Sequence, residues 1–192
     1  MSFRITFWSI LLCLGYAVVA LGQDYAVTDY IVAGTGCPPG TAKALISETG
    51  KALVLVYSNF FATSGPGTKY SDSRKNCQAT FNVQVPAGYQ FALNNAKYHV
   101  AYQLASGASA TYTTSYYFQA SIEGSTGNGF INGTTSGSKN VNTALAPAVW
   151  SPCGKTSLVN VNTAVRVIGG KAGYFTVDSF DLPESAFVWR AC

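Results

Sequence analysis

The chemistry open to this chain is narrow because its 192 residues hold a single histidine, His99, in the phrase AKYHVAYQL. A nucleophilic triad needs a base of this kind. Alternation places His99 on one face with Ala101 and Gln103, opposite Val100, Tyr102 and Leu104. No GxSxG elbow supplies a serine, so the expectation is a partly exposed strand histidine. Glycoside hydrolysis needs two carboxylates at a set separation, and the candidates are Glu48, Glu123, Asp178, Asp181 and Glu184. The densest group, VDSFDLPES, could also offer oxygen ligands to calcium, but it lacks the EF-hand spacing and reads equally well as a turn between the last two strands. Zinc has neither a CxxC pair nor a second histidine to bind, and copper chemistry at an amino-terminal histidine has no residue to use. No metal and no cofactor is expected.

Binding is the better supported class. Arg74 and Lys75 are the adjacent basic pair, at the mouth of the alternating run Ala79, Phe81, Val83 and Val85. They would either meet an anionic group or be solvated. Tyr112, Tyr116, Tyr117, Trp150 and Trp189 offer planar surfaces for sugar rings, although Tyr and Phe are also favoured in strands and cores. If Tyr116 shares the buried side with Phe118, Tyr117 points outward and is the better platform. The ligand-binding candidates are therefore Arg74, Lys75, Tyr117 and Trp150.

These side chains need a frame, and period-two patterns supply it. Gln78, Thr80, Asn82 and Gln84 oppose the Ala79 series; Tyr112 to Ile122 and Val159 to Val167 alternate likewise. Turns such as GTGCPPG, SGPGTK, SPCGK and GGKAG punctuate about ten short strands, and no capped helical pattern occurs. The expected fold is all-β: an antiparallel two-sheet sandwich, jelly-roll or Greek-key, stapled by two disulfides. The Gly, Ser, Thr and Asn tract from Gly124 to Asn140 reads as a long exposed loop, with Asn132 as a glycosylation sequon.

The amino terminus carries an address. Arg4, an apolar stretch from Ile5 to Ala20, and small residues Ala20 and Gly22 before Gln23 predict a secretory signal peptide over 1–22, leaving 23–192 as one β-sandwich domain. The apolar stretch is short for a span of roughly 20 residues, so no membrane span is expected after cleavage. With Arg4 removed, 11 of the 12 basic residues face 8 acidic ones, and a net charge of +3, dispersed, argues against nucleic acid. Removing Cys13 leaves Cys37, Cys77, Cys153 and Cys192, an even set that implies two disulfides in an oxidising compartment. Three pairings are possible; Cys37 with Cys77 and Cys153 with Cys192 is favoured because each closes one half of the chain.

The phrases GTGCPPGTA, SGPGTKYSDSRKNCQATFNVQVPAGYQF, WSPCG and WRAC, in this order, resemble a family of small secreted fungal proteins catalogued as a domain of unknown function. The resemblance runs from about Gly34 to Cys192. It implies an extracellular fungal source, four framework cysteines and an all-β domain, and it brings no catalytic residues. The function expected is a secreted, non-enzymatic sandwich acting at the fungal cell surface or host interface by binding a glycan or a partner protein. A small hydrolase using a carboxylate pair and a structural cell-wall protein are the alternatives.

Overall fold

The computed structural model describes residues 24–119 and 121–192. The segment 1–22, expected to be a signal peptide, lies outside them. The described strands run β1 Ala26–Ala33, β2 Ala42–Ile46, β3 Leu53–Tyr57, β4 Phe61–Ser64, β5 Arg74–Gln84, β6 Tyr89–Leu93 and β7 Asn95–Leu104. They continue as β8 Ser109–Phe118, β9 Gly124–Asn132, β10 Thr135–Ala144, β11 Ser157–Ile168, β12 Gly173–Leu182 and β13 Phe187–Ala191. The sheet orders are β1-β5-β11-β8-β9 and β10-β7-β12-β3-β2, and β4 extends the line of β3 along β12. Every pairing is antiparallel. The chain changes sheet between β1 and β2, β4 and β5, β7 and β8, β9 and β10, β10 and β11, and β11 and β12, and passes from β5 to β7 through β6, the interleaved path of a jelly-roll or Greek-key sandwich.

Alternation produces the two layers. Cys77, Ala79, Phe81 and Val83 of β5 and Val159, Val161 and Val165 of β11 point inward. They meet Tyr98 and Val100 of β7 and Phe175 and Phe180 of β12 in one buried cluster. A one-residue slip of either strand would turn these apolar sets to water, so the core fixes the register. Tyr116 and Phe118 are buried and Tyr117 faces out, as alternation requires. This strand ends at Phe118, however, and Ile122 is fully exposed, where the sequence pattern carried the strand onward.

A third, two-stranded sheet of β6 and β13 closes one end. Phe91 of β6 packs edge-on against Phe118 and tilts against Phe187 and Trp189, and Tyr25 packs on the last two. The two disulfides are Cys37–Cys77, which ties the loop after β1 to β5, and Cys153–Cys192, which ties the loop before β11 to the end of β13. They separate in sequence by 40 and 39 residues, so each bridge removes unfolded-state entropy of roughly 4 kcal/mol.

Two positions depart from the regular ladder. In edge strand β1 the pairing shifts between Thr28 and Tyr30, and Asp29 adopts a positive φ of 45°. In β12 the register shifts between Val177, opposite Val100, and Ser179, opposite His99, leaving Asp178 as the extra residue of a bulge. The tract from Gly124 to Asn140 forms strand β9 at the edge of the first sheet and the first part of β10 at the edge of the second, not the long loop its composition suggested. Asn132 is exposed at the end of β9.

Candidate functional site

The outward face of the first sheet is a grid set by register. One row runs Thr80, Asn160, Tyr117 and Gly124 across β5, β11, β8 and β9; the next runs Gln78, Asn162, Ser115 and Thr126. A third runs Asn76, Ala164, Thr113 and Asn128, and the row at the end runs Arg74, Arg166, Thr111 and Phe130. The first three rows carry amides and hydroxyls and no formal charge. Neighbouring groups already orient one another: Asn76 Nδ2 donates to Asn162 Oδ1 at 3.1 Å, and Thr80 Oγ1 donates to Asn160 Oδ1 at 2.8 Å. Gln78 Nε2 donates to the same Asn160 oxygen at 3.2 Å, and Thr113 Oγ1 donates to Asn128 Oδ1 at 2.7 Å. Such fixed donors and acceptors suit a ligand rich in hydroxyls.

Aromatic surface stands at both ends of this grid. Tyr117 is 36% exposed, and its neighbour on β9 is Gly124, which has no side chain to cover the ring. Phe130 is 70% exposed at the far row. Six residues of β9 separate Gly124 from Phe130, a span of about 20 Å at the usual rise per residue.

The sequence-derived binding candidates divide. Arg74 and Tyr117 share this face, three rows apart, and Arg74 sits directly opposite Arg166. Arg166 in turn donates to Tyr70 Oη at 2.9 Å. Lys75, one residue on, turns to the other side of β5 and donates to Asp72 Oδ1 at 3.1 Å. That ammonium holds the Asp72 carboxyl below its ordinary value. Trp150 lies apart in the loop after β10, with the Arg190 guanidinium 4.0 Å from its ring centroid. Tyr116 and Tyr112 belong to the interior; Tyr112 stacks on Phe175 with centroids 6.0 Å apart.

The outward face of the second sheet holds the histidine. His99 Nδ1 lies 3.0 Å from Asp178 Oδ2, and Ser138 Oγ lies 3.0 Å from His99 Nε2. Thr176 Oγ1, with one proton to donate, lies 3.2 Å from the Phe60 carbonyl oxygen and 3.4 Å from the other carboxylate oxygen, Oδ1. Ser138, His99 and Asp178 come from the adjacent strands β10, β7 and β12. His99 is the partly exposed strand histidine expected, and a neighbouring strand brings Ser138 beside it from the tract that read as loop. Asp178 and Asp181 both belong to β12, and the turn in VDSFDLPES begins only after Leu182. Asp181 lines a groove of about 370 Å³ with Lys97, Asn140 and Asn142, and no second carboxylate shares it. Among the described residues no group of three or more His, Cys, Asp or Glu is placed to hold a metal ion.

Residues 23–192 match the family described as Domain of unknown function (DUF4360). The chain belongs to the DUF4360 family. A relative in sequence, an "Uncharacterized secreted protein" of Arthroderma benhamiae, is 32% identical over 167 residues, covering 83% of this chain and 68% of that protein. This DUF4360 chain is a secreted protein, and its two disulfides fit an extracellular location. Among solved structures, TmCBM61 in complex with β-1,4-galactotriose is similar at TM-score 0.33 and 9% identity, over 89% of this chain and 92% of that one. The family 11 carbohydrate-binding module from Clostridium thermocellum in complex with a mixed-linked tetrasaccharide gives TM-score 0.27 and 9% identity, over 85% and 89%. At such scores the strand pairing above, and not the likeness, defines the DUF4360 fold. Among the described residues no helix is long and apolar enough to cross a membrane.

Proposed function

We propose that the protein binds glycans outside the cell, at the fungal cell surface or host interface, through the outward face of β5, β11, β8 and β9. The observation that carries this reading is the grid of uncharged amides and hydroxyls ending in the open ring of Tyr117. Sugar hydroxyls exchange hydrogen bonds with Asn162, Ser115 and Asn128, and the apolar face of a pyranose lies on the tyrosine ring. A flat face open at both ends suits an extended chain better than a single sugar. With Phe130 about 20 Å away, both aromatics engage one oligosaccharide.

A glycan array probed with the secreted, disulfide-intact protein tests this, followed by calorimetry with Tyr117→Ala and Phe130→Ala. Binding to a neutral oligosaccharide should weaken tenfold or more in Tyr117→Ala, about 1.4 kcal/mol, with the melting temperature unchanged. Absence of any glycan ligand, or wild-type affinity in both variants, would overturn the assignment.

A further inference from the structure

We propose that Ser138, His99 and Asp178 form a second site, on the opposite face of the sandwich, that hydrolyses short-chain carboxylic esters of bulky alcohols. The roles follow from geometry. Asp178 Oδ2 accepts the Nδ1 proton of His99 at 3.0 Å, which leaves Nε2 as the acceptor facing Ser138 Oγ, also at 3.0 Å. The bulge at Asp178 sets this contact. It takes the residue out of the ladder beside His99, and bulges commonly re-aim a side chain next to a reacting group. Thr176 Oγ1 lies 3.4 Å from the second carboxylate oxygen. Such a constellation is recognised by geometry and roles rather than by chain order, here His99, Ser138, Asp178.

The surroundings define the substrate class. His99 and Asp178 side chains are 44% and 47% exposed, and Ser138 is exposed, so no enclosed pocket waits for a long acyl chain. Two to four residues along the same strands, Ser136, Gln103 and Tyr174 line an open groove of about 730 Å³ together with Thr134 and Thr135. The acyl group is therefore small, and the alcohol part, of oligosaccharide size, lies in this open groove, where Ser136 and Gln103 stand beside Leu104 and Tyr174.

The reaction balances with water as co-substrate. Ser138 Oγ bonds to the carbonyl carbon while its proton passes to His99 Nε2. Collapse of the tetrahedral adduct breaks the ester C–O bond, and His99 returns the proton to the leaving alcohol. Water then gives a proton to Nε2, attacks the acyl-serine and releases the carboxylic acid as Ser138 regains its hydrogen. Asn140, registered opposite His99 and two residues from Ser138, offers a side-chain amide to the oxyanion on this face.

The test uses the intact secreted protein with p-nitrophenyl acetate, an O-acetylated oligosaccharide and a fluorophosphonate probe. Turnover above the buffer rate and a label mapped to Ser138 are expected. S138A should abolish both, and H99Q should lose 100-fold or more, the usual contribution of a positioned base. Asp178 is a positioning residue, so D178N is read by nitrogen NMR. The chain has one histidine, whose neutral ring should be protonated on Nδ1 in the wild type and shift towards Nε2 in D178N. S138A should keep its affinity for the neutral oligosaccharide found on the glycan array, which separates this site from the glycan-binding face. No turnover and no label in the wild type, or turnover that survives S138A, overturns the proposal; an unchanged tautomer in D178N overturns the role of Asp178.

Discussion

Removing one oxygen from the core, Tyr116→Phe, should destabilise the protein out of proportion to its size. The Tyr116 hydroxyl donates to the Val149 carbonyl at 2.9 Å and accepts from the N–H groups of Val149 at 3.1 Å and Leu93 at 3.2 Å. One donor and two acceptor positions are all a hydroxyl has, and all three are used. They join β8 to β6 and to the loop that follows β10. Phenylalanine keeps the ring but leaves two amides and a carbonyl without partners in a site where residue 116 has no solvent exposure. Each orphaned buried group costs about 1–3 kcal/mol, so the loss should be about 3–6 kcal/mol after partial relaxation. That is a large part of the roughly 5–15 kcal/mol typical of a folded domain. Urea unfolding with disulfides intact measures it, and the slope should stay constant if only the folded state is affected. Hydrogen exchange should quicken first at the Leu93 and Val149 amides. A loss below about 1 kcal/mol at unchanged slope would refute the claim that this hydroxyl ties the end sheet to the sandwich.

Two further outcomes follow from groups already placed. Burial raises the phenols of Tyr57 and Tyr98 above their ordinary value of 10.0, with the Asp181 charge adding to the effect on Tyr57. The folded chain then keeps protons that the unfolded chain releases, so this stability is complete below pH 10 and lost as pH rises, by up to about 1.4 kcal/mol per pH unit for each tyrosine. Urea midpoints measured at about pH 9 and pH 11 should show the fall, and tyrosinate absorbance should lag it; a flat profile would contradict the burial argument. Arg74→Glu replaces a like-charge pair with Arg166 by an opposite one and should stabilise by about 0.5 kcal/mol, an effect that added salt removes. Equal stability of the variant at low and high salt would show that the two guanidinium groups do not sense each other.

The two layers were legible because β5, β8 and β11 each bury one side and wet the other, which writes itself as apolar alternation. Gly124 to Asn140 was not, for a packing reason. The inward positions of β9 include Gly127 and Gly129, where a Cβ would come within 2.2 Å of the Ala144 carbonyl oxygen and 2.1 Å of the Tyr112 ring. Inward residues there must be glycine, so the strand shows no apolar series and reads as a flexible tract. Ser138 was hidden with it. The exposed side of Tyr117 followed from parity alone, whereas the covering of Trp150 by Arg190, 40 residues away, depends on tertiary placement that no local pattern encodes. The pairing of Asp178 with His99 depends on one extra residue in β12, and bulges leave little trace in composition.

The kink at Asp29 bears on how crowded this protein can become. Strand β1 has one bonded neighbour, β5, and carries the bare side chains of Tyr30 and Ile31. A straight ribbon of that composition is a template on which copies add end to side, the route to fibres. Asp29 interrupts the spacing of free amides and sets a carboxylate among the apolar groups, so an approaching strand meets both a broken ruler and a charge. Deleting this residue would trade a colloidally quiet molecule for one that gels on concentration.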